Sequence, residues 1–311
     1  MPVFEQGYRR YVGERSRGSR VLPIAWENMR TRMRWWSWAV LAFLTLAFSG
    51  YGLYAVLIFV STIGAGMFGH APVVATPPPA VAFGGGGIGG DLASMILGLV
   101  QQQPLGLVWE LLDHASYASV IFPAVVAAGL LASDRRTGAL QIYFSRPVTR
   151  LEYLFGKIVA CASFVALTTV VPCLVLWAET VAFGSTASYT WRTWAAPFAI
   201  VGASAFYALW TVALVLAYSS LLRRPAIAAI LAIFTHLALD AVGKILAEAL
   251  RDKSWHVIRP SYAIGSLTAP ICGLSVPDWI NPVAAIGIGL VLPLALLAFV
   301  WTRLRAVEVS T

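Results

Sequence analysis

Residues 196–222 read APFAIVGASAFYALWTVALVLAYSSLL, without a single charged side chain. After Arg223, Arg224 and Pro225 the chain continues through residues 226–246 as AIAAILAIFTHLALDAVGKIL. A helix needs about 20 largely apolar residues to cross a bilayer core about 30 Å thick, and each run is long enough. The rest of the chain agrees. Of its 311 residues, 59% are hydrophobic and 12% charged, against about 25% charged in a soluble domain. Mean hydropathy is +0.76. Disorder is excluded, because it needs low hydrophobicity and high charge. With only three Cys and no glycine period, a disulfide scaffold and a collagen-like chain are excluded as well. The fold class is an all-α integral membrane protein.

The same reading finds spans at 38–60, 115–132, 158–178 and 282–301, making six transmembrane helices with the two above. The span at 115–132 has the shortest core and follows Glu110, Asp113 and His114. Lys and Arg collect on the cytoplasmic side of spanning helices. With a cytoplasmic N-terminus, seventeen of the 22 Lys and Arg share that side. They are the eight Arg before the first span, Arg135, Arg136, Arg146, Arg150, Lys157, Arg223, Arg224, Arg303 and Arg305. Only Arg192, Lys244, Arg251, Lys253 and Arg259 lie opposite. Both termini are therefore expected in the cytoplasm. This distribution accounts for the net charge of +8 through membrane lipid rather than nucleic acid. The expected organisation is a tail and interfacial helix over 1–37, a membrane domain over 38–302 and a tail over 303–311. The domain has outer loops at 63–114 and 247–281 and an inner loop at 133–157. The first span is expected to be retained rather than cleaved as a signal peptide.

On the inner face, Leu22, Ala25, Trp26, Met29, Met33 and Trp36 recur at three- and four-residue spacing, with Arg30, Arg32 and Arg34 largely between them. That pattern predicts an interfacial amphipathic helix, serving as an anchor for the first span, a partner site, or both. In the 133–157 loop, Leu140, Tyr143 and Phe144 share one helical face, which Pro147 ends. Thr149 and Glu152 form a capping box that starts the next helix. A bare connector between helices needs only about two to eight residues. An aromatic face flanked by Arg asks for a protein partner.

The stretch Asp134…Gly138-Ala139-Leu140…Ser145-Arg146-Pro147-Val148-Thr149-Arg150-Leu151-Glu152-Tyr153-Leu154…Gly156-Lys157 resembles the cytoplasmic loop of ATP-binding cassette transporter permeases of the type-2 exporter class. That family usually has Glu, and Gly-Thr-Leu, where this chain has Asp134 and Gly138-Ala139-Leu140. The resemblance implies a permease subunit in the cell membrane, paired with a second permease subunit and with a separate ATPase subunit that binds the ATP. It also implies that the loop holds a coupling helix, with Asp134, Arg135, Arg136, Gly138, Leu140, Tyr143, Phe144 and Arg146 as the ATPase-coupling set. No cofactor and no catalytic residue are then expected in this chain. The sequence agrees on one point: its nearest approach to a Walker A motif, Gly64…Gly69-His70, lacks the lysine that reaches the phosphates.

Gly84 to Gly90 contains GxGxxG, but it follows Pro77–Pro79 and no βαβ unit surrounds it, so it reads as a flexible loop rather than a dinucleotide site. Two outer helical pieces are expected to rest on the membrane surface. One starts at Asp91; the other starts at Pro104 and carries Leu105, Val108, Trp109 and Leu112. Residues 262–276 are apolar but broken by Gly265, Pro270 and Gly273, so they either dip into the bilayer or form a buried surface loop. Ionisable residues within spans are functional candidates by default. His236 and Asp240 stand at i, i+4 on the fifth span, and Glu179 near the outer end of the third. They line a polar pathway, or else His236 and Asp240 fix helix packing and Glu179 marks the interface. The three Cys form no metal or disulfide pattern. An ATP-driven exporter is the leading function. Its rivals are a proton-coupled secondary transporter, which lacks the inverted repeat expected of one, and a membrane-embedded enzyme using Glu110, Asp113 and His114.

Overall fold

The computed structural model describes residues 21–33, 35, 37–47, 106–138, 149–184 and 194–309. Among them every regular element is helical. The helices are α1 (Val21–Arg32), α2 (Ser37–Ala47), α3 (Gly106–Ala127), α4 (Gly129–Thr137), α5 (Arg150–Gly184), α6 (Ala196–Leu221), α7 (Pro225–Ala249), α8 (Pro260–Thr268), α9 (Pro282–Ile286) and α10 (Leu292–Val309). Five stretches are long and apolar enough to cross a membrane: Ser116–Thr137, Arg150–Glu179, Ala196–Leu221, Pro225–Ala249 and Pro282–Leu304. They coincide with the second to sixth expected spans. Of the first, only the shorter apolar helix α2 is described; residues 48–60 lie outside the described residues, as do the Pro and Gly tracts and the piece starting at Asp91.

α6 is the central helix, packed against α3, α5, α7 and α10. Ala196, Ala203, Ala213 and Ser219 along it are fully buried, and so are Tyr207 and Trp210. Small residues let neighbouring backbones approach closely where lipid offers no hydrophobic drive, and the two aromatics fill the spaces left over. α3 and α4 form one span interrupted at Ala128, beyond Pro123. The break is sealed from α6, since Ser219 Oγ donates to Ala128 O at 2.7 Å and accepts from the N–H groups of Leu131 (3.1 Å) and Ala132 (2.9 Å). An interruption in lipid needs such a neighbour.

The expected boundaries shift where nothing in the chain stops a helix. Residues 106–114, assigned to an outer loop and a separate surface helix, are the first turns of α3. Asp113 and His114 are polar but do not break a helix, so the helix runs from Gly106 straight into the span. Of the inner loop 133–157, residues 133–137 belong to α4 and 150–157 to α5. α5 has 35 residues, about 52 Å at 1.5 Å each, well beyond a core about 30 Å thick. Its start is the capping box read from the sequence. Glu152 Oε2 accepts from the Thr149 N–H at 2.9 Å, and the Glu152 N–H reaches Thr149 Oγ1 at 3.2 Å. The last helix runs on to Val309, past the expected end of the membrane domain.

Between α7 and α9 the chain turns inward. Asp252 caps a 3₁₀ segment (Lys253–Ile258), then α8 and a second 3₁₀ turn (Ala269–Cys272) end at Gly273, whose φ of 72° is left-handed. α8 is buried on most of its surface against α6, α9 and the π-helical turn Gly287–Val291. Ile271 Cγ2 comes within 3.6 Å of a Cβ position at Gly202, six residues and about 9 Å along α6 from Ala196. Residues 262–276 are thus packed against the helices of the bundle, as both readings of this segment require. Gly289 makes the close approach possible: a Cβ there would stand 2.6 Å from Leu267 Cδ1. The π turn beside it ends two residues before Pro293, whose missing N–H it accommodates.

Candidate functional site

Two polar clusters occupy opposite ends of the bundle. At the arginine-rich end, Lys157 is 1% exposed, deep between α1, α4 and α5. Its Nζ lies 2.7 Å from Asp134 Oδ2 and donates to Asn28 Oδ1 at 2.7 Å. It also lies 5.2 Å above the Tyr153 ring. The Tyr153 hydroxyl donates to the same Asp134 oxygen at 2.7 Å. A lysine buried to this degree keeps its charge only when paired, and here one ammonium ties three helices. Close approach of α1 depends on Gly156, where a Cβ would stand 2.6 Å from Ile24 Cγ2. Farther along α1, Arg32 donates to Gly129 O at 2.8 Å and to Ser133 Oγ at 2.5 Å. Gly138 then ends α4 in a left-handed cap (φ 70°), its N–H returning to Asp134 O.

At the other end, Asp240 accepts three hydrogen bonds. The Tyr117 hydroxyl gives one at 2.7 Å, Arg259 Nη2 one at 2.9 Å and Ser261 Oγ one at 2.5 Å. Asp240 lies nine residues from the end of α7, about 14 Å inward, and the inward turn of the loop brings Arg259 down to it. Gly243 leaves the space, since a Cβ there would stand 2.5 Å from Arg259 Cγ. Arg259 also stacks over Tyr262 at 4.3 Å, and Tyr262 stacks on His256 at 5.1 Å between centroids. Burial, followed by the positive charge of Arg259, holds the His256 imidazole below its usual range. The N–H and hydroxyl of Ser254 hold the Asp252 carboxyl low.

A profile of the ABC-2 family transporter proteins matches residues 22–304, from the second residue of α1 to within α10. The chain belongs to the ABC-2 transporter family. It is a multi-pass membrane transporter permease, a transport subunit by family. No curated protein matches it.

In this ABC-2 permease the sequence-derived coupling residues divide. Asp134 faces inward into the lysine clamp and Gly138 forms the helix end, while Arg135 and Arg136 stand in the last turn of α4. Leu140, Tyr143, Phe144 and Arg146 lie outside the described residues. Of the three pathway candidates, His236 and Asp240 share the buried face of α7 without bonding each other; Tyr117 stands between them, its ring edge-on to His236 at 5.8 Å. Trp210 Nε1 donates to His236 Nδ1 at 3.3 Å, which leaves the proton on Nε2, an atom without a partner among the described residues. Glu179 is apart from both, on α5, and its Oε2 has no partner among the described residues. Among the described residues no three His, Cys, Asp or Glu side chains gather as a metal site.

The sequence reading passed over Tyr117, Arg259 and Ser261, and over Asn28 as a bonding group. One signal was available: a carboxylate within a span needs a cation. The nearest in sequence, Lys244 at i+4, is exposed, and the actual partner comes from the loop.

Proposed function

We propose that this permease is the membrane half of an ATP-driven exporter in the cell membrane, working as a dimer with a separate ATPase subunit that binds the ATP. Both termini, residues 139–148 and the Arg223 turn face the cytoplasm, following the distribution of Lys and Arg. The observation that carries this reading is the clamp around Lys157. Residues 139–148 leave one helix at Gly138 and enter the next at Thr149, and those two helices are tied together by Asp134, Tyr153 and Lys157. A push on the segment is therefore delivered to α4 and α5 as one body, and through Asn28 to α1.

Within the segment, Leu140, Tyr143 and Phe144 supply an apolar surface for a groove on the ATPase, with aromatics as its hot spots. Arg136 and Arg146 flank it and steer an acidic partner. On the far side, Asp240 is saturated by three donors, which supports a packing role that holds the inward loop against α3 and α7. His236, with a buried Nε2 lacking a partner among the described residues, is the better candidate for the pathway lining. The decisive experiment is Tyr143→Ala with Phe144→Ala. Co-purification of an ATPase subunit and ATP-dependent transport should both be lost while membrane insertion persists. A fully active double variant, with no ATPase recovered alongside the wild type, overturns the assignment in favour of a proton-coupled transporter or a membrane enzyme.

A further inference from the structure

Three arginines from separate parts of the bundle, Arg135, Arg223 and Arg303, lie toward its arginine-rich end. The bonds from Ser219 to the backbone of Leu131 and Ala132 place the end of α6 against α4. Arg223 follows Ser219 by four residues and Arg135 follows Ala132 by three. Arg303 precedes Leu304, which is buried in the same core on α10, and α10 packs along α6. The charges of Arg303 and Arg223 both bear on Arg135. No ion pair among the described residues joins any of the three to a carboxylate. The neighbouring Asp134 is already committed to Lys157 and Tyr153. Arg135 is half-buried, and its Nη1 is shielded from solvent with no acceptor among the described residues.

Like charges brought together at a membrane rim repel more strongly than in water, and a shielded guanidinium N–H asks for an acceptor. An anion between them answers both needs. The planar fork of Arg suits phosphate oxygens, and basic pockets between spans on the cytoplasmic side take anionic headgroups. Beside Arg223, Leu221 and Ile227 are 43% and 40% exposed, an apolar flank suited to acyl chains. We propose that Arg135, Arg223 and Arg303 form a site for the phosphate of an anionic phospholipid headgroup. Its leaflet, the cytoplasmic one, rests on the orientation given above.

The test uses the purified full-length permease, without ATPase, in detergent. It is incubated with phosphatidylglycerol or phosphatidylcholine and examined by native mass spectrometry. The wild type should retain phosphatidylglycerol in preference. Arg135→Gln with Arg223→Gln and Arg303→Gln should weaken that retention on the order of 100-fold, given the usual worth of a basic residue near anionic lipid. The charge-matched set Lys244→Gln, Arg251→Gln and Lys253→Gln should leave it unchanged. Should the Gln triple variant fold poorly, the corresponding triple Lys variant serves, and it should retain phosphatidylglycerol more weakly than wild type but above the phosphatidylcholine level. Equal retention by wild type and the Gln triple overturns the site. So does a wild type that retains phosphatidylglycerol no better than phosphatidylcholine. A confirmed site with Arg224→Cys labelled only from outside the cell overturns the orientation and leaves the site standing.

Discussion

Lys157→Met removes the ammonium at the heart of the α1–α4–α5 clamp and keeps most of the side-chain volume. Taking one partner from a buried ion pair costs about 3–5 kcal/mol, because the other charge stays behind unpaired. Asp134 keeps 15% exposure of its side chain and the hydrogen bond from Tyr153, so the lower end applies, about 3 kcal/mol. Asn28 loses the donor to its Oδ1, adding about 1 kcal/mol. Denaturant unfolding in mixed micelles should show this loss, and hydrogen exchange should rise over residues 21–33, because α1 loses a direct tie to the bundle. Adding Asp134→Leu removes the stranded carboxylate, so the double variant should lose less than the sum of the single variants by about 2 kcal/mol. Transport should fall relative to ATP hydrolysis in Lys157→Met, since the clamp links the coupling segment to the spans. The reasoning is refuted if Lys157→Met lies within about 0.5 kcal/mol of wild type with α1 exchange unchanged.

Gly243→Ala places a methyl group 2.5 Å from Arg259 Cγ and 3.1 Å from its backbone nitrogen. It should displace Arg259 from Asp240 and lower stability by about 1–3 kcal/mol, checked by protease sensitivity of residues 250–260. Ser219→Ala strands the carbonyl of Ala128 and two N–H groups at the break in the second span. It should cost about 1–3 kcal/mol in the same unfolding assay, whereas Ser219→Thr keeps the hydroxyl and should cost less. His256 has a folded-state pKa below its ordinary value of 6.5, so the unfolded chain takes up its proton first on acidification. Its contribution is fully present above about pH 6.5 and declines as pH falls below that. Exchange over the 3₁₀ segment should therefore rise between pH 7.5 and 5, and His256→Phe should flatten that dependence.

Some features were determined by local sequence alone. Five apolar stretches of spanning length lie where the sequence puts them, because a helix in lipid must satisfy its own backbone and needs only length and composition to do so. The Thr149–Glu152 cap is equally local, a contact between residues three apart. The resemblance to the type-2 permeases could likewise be read in order, from Asp134 to Lys157, and the family match extends over residues 22–304. What those residues touch was decided by tertiary structure. Asp134 reads as one of the coupling residues, and that Lys157 and Tyr153 close on it from another helix is visible only in the fold. Asp240 has Lys244 four residues away, yet its cation is Arg259, nineteen residues on, brought in by a loop that folds back into the bundle over Gly243. Burial makes a charge seek a partner, but which partner it finds depends on where helices cross and where a glycine lets them. The three arginines show the same limit. Sequence counts Arg135, Arg223 and Arg303 as basic residues of one face, and only the packing of α4, α6 and α10 makes them neighbours.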